Sequence, residues 1–159
     1  MPTLTSPMQT FRIGDAQGAF PIYSGKGAAL TEGRWHERGQ EVVYSSEHYA
    51  VAMLEKLVYF SGVMPPNQRF IEIRIPAGTS YEVVTKDSLP DWHLQDGNVS
   101  RAFGSAWFTS ARSALLIVPS RVSREERNVL INPHHPDAKG ISHGLETPVW
   151  WDERLFGHI

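Results

Sequence analysis

Ala114-Leu115-Leu116-Ile117-Val118 is an unbroken apolar run, closed by Pro119. It is too short for a helix. As a strand it turns successive side chains to opposite faces, so both faces need a covering layer. That requirement makes the run the central strand of a sheet packed on two sides. Other segments supply partners. Phe70-Ile71-Glu72-Ile73-Arg74-Ile75 alternates strictly and ends at Pro76, which predicts a strand with Ile71, Ile73 and Ile75 inward. Glu41 to Ser46 and Val129 to Asn132 read as two further strands, the second stopped by Pro133, and Tyr81 to Val84 as a short one within a long loop over 77–97. Residues 47–60 have helical spacing, with Ala50, Met53, Leu54, Leu57 and Val58 on one broad face. Val51 and Tyr59 extend that face and Lys56 marks the wet side, which predicts a helix buried over most of its circumference. Ser100 to Arg112 is a second helix, with Ala102, Phe103, Ala106 and Trp107 inward. The tail from Thr147 to Phe156, with Trp150 and Trp151, is expected to pack back on the body. Strands and helices without a βαβ rhythm point to a single α+β domain over residues 11–159, preceded by a polar N-terminal extension over 1–10.

Composition removes several function classes. The chain has 159 residues and a net charge of −2, with no dense Lys/Arg cluster, so direct nucleic-acid binding is disfavoured. No apolar run approaches the length of a membrane helix, and Met1 to Thr10 lacks the basic flank and apolar stretch of a secretory signal. A cytoplasmic protein with no membrane partner is the expectation. Without cysteine there is no disulfide, thiolate metal site or thiol nucleophile. His134, His135, Asp137 and His143 match no common metal-ligand spacing and read as polar loop residues, so no metal is expected. Neither a P-loop nor a Rossmann glycine pattern occurs.

Four places put a polar residue where constraint is expected. Phe11 to Arg38 is glycine-rich and reads as a functional loop. Within it, Gly33-Arg34-Trp35 combines close backbone approach, a planar donor fork and an aromatic face, which suits a phosphate and an aromatic base. The structural alternative is a surface arginine beside a packing tryptophan. Glu55 lies at the edge of the apolar helix face, where a carboxylate needs a partner; it is either catalytic or tied to Arg34 in an ion pair. Tyr44, followed by Ser45 and Ser46, ends a strand and is either site or core. Ser120 follows the central strand; Ser123-Arg124-Glu125-Glu126 reads as a capping box with Ser123 as N-cap, leaving Ser120 free for another role.

The ordered run Gly27-Ala28, Gly33-Arg34-Trp35-His36, Gly39, Val42-Val43-Tyr44-Ser45-Ser46 and Ala52-Met53-Leu54-Glu55 resembles the opening of the RES domain. Trp107, Leu116-Ile117-Val118-Pro119-Ser120 and Glu126-Arg127-Asn128-Val129-Leu130-Ile131-Asn132-Pro133 resemble its second block. The departures are Glu32 before Gly33, where the family often has a second glycine, and His36, where asparagine is common. The resemblance implies an ADP-ribosyltransferase-like split mixed sheet with flanking helices and a cleft for NAD⁺ as substrate. It implies catalytic roles for Arg34, Tyr44, Glu55 and Ser120, with Arg34, Trp35, Tyr44, Ser45, Ser46 and Asn128 binding the dinucleotide. It further implies a toxin of a type II toxin–antitoxin pair that cleaves the nicotinamide N-glycosidic bond, passing ADP-ribose to a protein, water or phosphate. Its partner would be an Xre-type antitoxin. Two other readings stay open: a small toxin endoribonuclease with Glu55 as base, a histidine as acid and Arg34 on the phosphate; and a non-catalytic binding module anchored by Trp150, Trp151 and Phe156.

Overall fold

Leu115–Pro119 (β5) is the covered central strand its composition demands, with all five residues buried. Leu115 and Ile117 enter one core with Val43, Ile71, Ile73, Val129 and Ile131. Leu116 and Val118 enter the opposite core with Trp35, Val42, Trp92, Trp107 and Leu130. Each fully buried Leu or Ile contributes about 1.5–3 kcal/mol relative to exposure, so the strand is a principal source of stability.

The computed structural model describes residues 1–157. Besides β5, its strands are β1 (Met8–Asp15), β2 (Val43–Ser46), β3 (Gln68–Ile75), β4 (Tyr81–Val83), β6 (Arg127–Ile131), β7 (Ser142–His143) and β8 (Thr147–Pro148); its helices are α1 (Tyr49–Phe60) and α2 (Asn98–Ser110). One mixed sheet runs β4-β5-β6-β2-β1-β3-β7, with β8 also on β3. Among the described residues only β4 and β5 pair in parallel. The fold is thus α+β with a mixed sheet and two flanking helices, as expected. The sheet is split at its middle: β1 and β2 meet at the single pair Phe11↔Ser46, whereas β1 pairs with β3 along its whole length from Met8↔Ile75 to Asp15↔Gln68. Ile71, Ile73 and Ile75 are buried as their alternation requires.

Several local expectations are corrected. The N-terminal extension over 1–10 is drawn into the sheet: β1 begins at Met8, and Leu4 and Pro2 exchange backbone hydrogen bonds with Gly78, Thr79 and Tyr81. For the same reason Phe11 to Asp15 is strand and not glycine-rich loop. In α1 the buried residues are Val51 and Ala52, while Ala50, Leu54, Val58 and Tyr59 are exposed. The helix lies over the split in the sheet, so its polar residues Glu55 and Lys56 face inward. In α2, Ala102 and Ala106 are exposed, and Ser100, Gly104 and Trp107 form the buried stripe. No helix follows Ser123; residues 121–126 make a turn closed by Glu126 N donating to Ser123 O at 2.9 Å. Of the tail, Trp151 is buried and Trp150 is 77% exposed. Among the described residues no helix is long and apolar enough to cross a membrane.

Candidate active site

Strand alternation sends Tyr44 and Ser46 to the face shared by Asn128 and Leu130, their partners on β6. The next turn of chain after β5 brings Ser120 beside Asn128. Helix α1, which follows β2 directly, hangs Glu55 over this end of the sheet. Glu55 Oε1 accepts from Ser120 Oγ at 2.7 Å and from Asn128 Nδ2 at 2.9 Å. Asn128 Oδ1 in turn accepts from Ser46 Oγ at 2.8 Å. Ser120 is fully buried and also receives Ser123 N–H at 3.2 Å, so its hydroxyl has one orientation. Glu55 is thereby fixed through one oxygen, leaving Oε2 for another contact.

Tyr44 braces the loop that carries Arg34. His36 Nε2 lies 2.7 Å from Ala28 O and 2.9 Å from Thr31 O. Both are acceptors, so in the neutral ring Nε2 holds the proton and Nδ1 accepts from the Tyr44 hydroxyl at 2.6 Å. That hydroxyl accepts from Trp35 N–H at 3.2 Å. Burial pushes the Tyr44 phenol far above its ordinary titration range, so it stays a neutral donor. Gly33 is required here, because a Cβ would sit 2.5 Å from His36 Cε1.

Arg34 makes no ion pair with Glu55. Its Nη1 donates to Trp92 O and Leu94 O, both at 2.9 Å, which aims the fork while leaving Nε and Nη2 open. Burial, then the charges of Arg121 and Arg101, lower its proton affinity. Trp35 follows the packing alternative: the residue is 3% exposed and its indole stacks on Trp92 at 6.4 Å and 20°. The open aromatic face foreseen there is consumed by core packing. Ser45 points to the other side of β2 and donates to Val129 O at 2.8 Å, so its hydroxyl is committed to the sheet. His134 pairs with Glu41, and His135 caps the turn at Asp137. Among the described residues no group of His, Cys, Asp and Glu is gathered as a metal site.

These residues line a cleft with two lobes, of about 480 Å³ and 780 Å³, that share Arg12, Ala28, Thr31, Tyr44, Glu55, Tyr59 and Asn128. The larger lobe carries Arg34, Arg101, Arg121 and Arg124. The smaller carries Lys56 and Ser46. Several cations in the walls were missed in the sequence: Arg101, Arg121 and Arg124 of the larger lobe, together with Arg12 and Lys56. Arg12 sits at the split in the sheet, with Nε donating to Ile22 O at 2.7 Å and Nη1 to Tyr44 O at 2.9 Å. That carbonyl is free because β1 and β2 stop pairing after Phe11↔Ser46. Burial lowers the Arg12 proton affinity. Lys56, read as solvent-facing, is turned into the cleft, where burial first and Arg12 second lower its pKa to about 8. The available signal was the pair Glu55-Lys56 itself, adjacent polar residues in an otherwise apolar helix.

The RES domain model matches residues 9–152. The "Prs ADP-ribosylating toxin" of Sphingobium sp. (strain YBL2) is 49% identical over 137 residues, covering 83% of this chain and 85% of that protein. A "Toxin Res" of Pseudomonas putida is 33% identical over 143 residues, covering 87% and 95%. In fold, the chain resembles the M. tuberculosis MbcT-MbcA toxin-antitoxin complex, with a TM-score of 0.70 at 14% identity over 92% of this chain and 86% of that chain. From the match along nearly its whole length, this chain belongs to the RES domain family.

Proposed function

We propose that the protein is the toxin of a toxin–antitoxin pair and cleaves the bond between nicotinamide and ribose in NAD⁺, passing ADP-ribose to a protein acceptor. The observation that carries this reading is a carboxylate, Glu55, fixed by Ser120 and Asn128 inside a cleft lined by Arg34, Arg101, Arg121 and Arg124, whose other carboxylate, Glu32, is paired with Arg101. The cations suit the pyrophosphate. The carboxylate suits the one place where positive charge grows, the ribose of an oxocarbenium-like transition state.

In this mechanism Arg34 holds a phosphate through its open Nε and Nη2, with Arg101 and Arg121 adding to the local positive field. Tyr44, rigid and neutral, forms a wall of the reacting end. Glu55 Oε2 faces the ribose and stabilises its developing charge; Ser120 and Asn128 keep the carboxylate from turning away. The C1′–N bond breaks with its electron pair leaving on nicotinamide. An acceptor nucleophile then bonds to C1′ and gives up its proton. The relative named for ADP-ribosylating Prs motivates a protein acceptor, with water and phosphate as the competing ones. The likeness to a toxin bound to its antitoxin motivates an antitoxin partner, and the family resemblance an Xre-type one.

The test is incubation of the purified protein with NAD⁺ and, separately, with RNA. Release of nicotinamide is the expected result. Glu55→Gln keeps an acceptor oxygen for Ser120 and Asn128, so it is expected to fold normally and lose about a hundred- to a thousandfold in turnover. NAD⁺ left intact in the presence and absence of phosphate and protein acceptors, or full activity of Glu55→Gln, refutes the reading.

A further inference from the structure

The larger lobe holds one charged group that cleavage of NAD⁺ leaves without a task. Among the described residues its carboxylates are Glu55 and Glu32. Glu55 belongs to both lobes and is anchored at the reacting end, whereas Glu32 lines the larger lobe alone. Glu32 stands on the same loop as Arg34, just before Gly33, and its side chain is 61% exposed. Its Oε2 lies 3.5 Å from Arg101 Nε, and its Oε1 has no protein partner among the described residues. Arg101 is itself held fast: Nε donates to Gly33 O at 3.0 Å, Nη1 to Asn98 Oδ1 and Nη2 to Asp96 O, both at 3.2 Å. Every nitrogen of Arg101 is thus committed to the protein, and the residue acts as a strut that fixes where Glu32 stands.

An exposed ion pair of this kind adds little to stability. A carboxylate in a wall that has to hold a pyrophosphate also weakens the attraction for the anion. A gain elsewhere in the ligand offsets that loss. A dinucleotide runs in a fixed order: nicotinamide, ribose, pyrophosphate, ribose, adenine. With the first ribose at Glu55 and the pyrophosphate on Arg34, the second ribose falls beyond Arg34, in the larger lobe. Its vicinal diol offers two hydroxyl donors, and an ionised carboxylate is a strong acceptor for them. The same carboxylate repels a phosphate carried on the 2′-oxygen, which Arg121 and Arg124 in that lobe would otherwise attract. We propose that Glu32 sets the specificity of the cleft, accepting a dinucleotide whose adenosine ribose has a free diol and rejecting one that bears a 2′-phosphate. This role rests on the cleft's being an NAD⁺ site, but it is read from binding without turnover, so the two readings fail separately.

The experiment is calorimetric titration of ADP-ribose and of ADP-ribose 2′-phosphate into the purified protein at constant ionic strength. Wild type is expected to prefer ADP-ribose by roughly ten- to a hundredfold, from a charge-assisted contact made with one ligand and a repulsion met by the other. Glu32→Gln keeps an oxygen for the diol and removes the charge. It is expected to bind the 2′-phosphate about tenfold more tightly than wild type does, with the affinity for ADP-ribose little changed. Glu32→Gly removes both, and is expected to lose affinity for ADP-ribose while gaining it for the 2′-phosphate. A gain of affinity is not produced by damage to the loop; if the pair with Arg101 only ties the loop to α2, both ligands weaken alike. Glu37→Gln controls for the general field. Glu37 is on the same loop, accepts from Ser105 Oγ at 2.8 Å and lines neither lobe, so the ratio is expected to stay as in wild type. Selective binding of ADP-ribose by a protein that leaves NAD⁺ intact refutes the cleavage and keeps the role of Glu32. Equal affinity of wild type for the two ligands, a preference that survives Glu32→Gln or is lost equally in Glu37→Gln, or no binding of either ligand overturns the proposal.

Discussion

Gly104→Ala pits two effects of opposite sign against each other at the joint that positions Arg34. Gly104 lies within α2, where alanine is favoured over glycine by about 1 kcal/mol. Against this, a Cβ at 104 would stand 1.8 Å from Trp35 O and 2.6 Å from Trp35 C. Helix and loop have to separate by more than about 1 Å, and the obstacle is backbone, so the usual overpacking cost of about 1–3 kcal/mol is incurred at its upper end. The clash wins, with a net loss near 2 kcal/mol. That is a substantial part of the roughly 5–15 kcal/mol that holds a domain together. The shift also reaches the site, since Arg101 on α2 donates to Gly33 O at 3.0 Å, one residue before Arg34. Urea unfolding at equilibrium is expected to show a lowered midpoint with an unchanged slope, and nicotinamide release is expected to fall with it. Stability equal to wild type or higher, with normal turnover, refutes the argument that α2 and the Arg34 loop are in backbone contact.

Other perturbations follow from the same geometry. His36→Ala takes the partner from the Tyr44 hydroxyl and the donor from Ala28 O and Thr31 O; a loss of about 1–3 kcal/mol in thermal or urea denaturation is expected, and none is expected if His36 is not a brace. Lys56 titrates near 8 when folded against an ordinary 10.5. Between these values the unfolded chain holds a proton that the folded chain has released, so stability is expected to rise from pH 8 towards 9.5 through this residue. Urea midpoints of wild type and Lys56→Met measured across that window test it: the rise is expected to be smaller in the variant. A cognate antitoxin is expected to inhibit by placing an acidic or C-terminal carboxylate against the open face of Arg34. A non-hydrolysable NAD⁺ analogue that binds the complex as tightly as the free toxin rules this out.

Much of the molecule was legible because short-range rules apply to it. The continuous run at 114–118 could only be a doubly covered strand, and Ile71, Ile73 and Ile75 could only line one face. Glu55 and Ser120 stood out as polar residues beside apolar runs, Asn128 entered only through the family resemblance, and the three meet within 2.9 Å. What periodicity does not reveal is which way a helix turns once its neighbour has a hole in it. Over an unbroken sheet, α1 would bury Leu54 and Val58; over the split between β1 and β2 it presents Glu55 and Lys56 and leaves those apolar side chains wet. Whether Trp35 packs or binds stayed open in the sequence for a related reason, since only the fold brings Trp92 against its face. The chain is acidic overall and shows no basic cluster along its length. Even so, long-range packing gathers Arg12, Arg34, Arg101, Arg121 and Arg124 around one cleft. The sequence by itself thus determined the strands, the core and the identity of the anchored carboxylate, because burial and alternation act between near neighbours. The tertiary structure alone decided the electrostatics of the cleft, because a field sums charges by distance in space and not by distance along the chain.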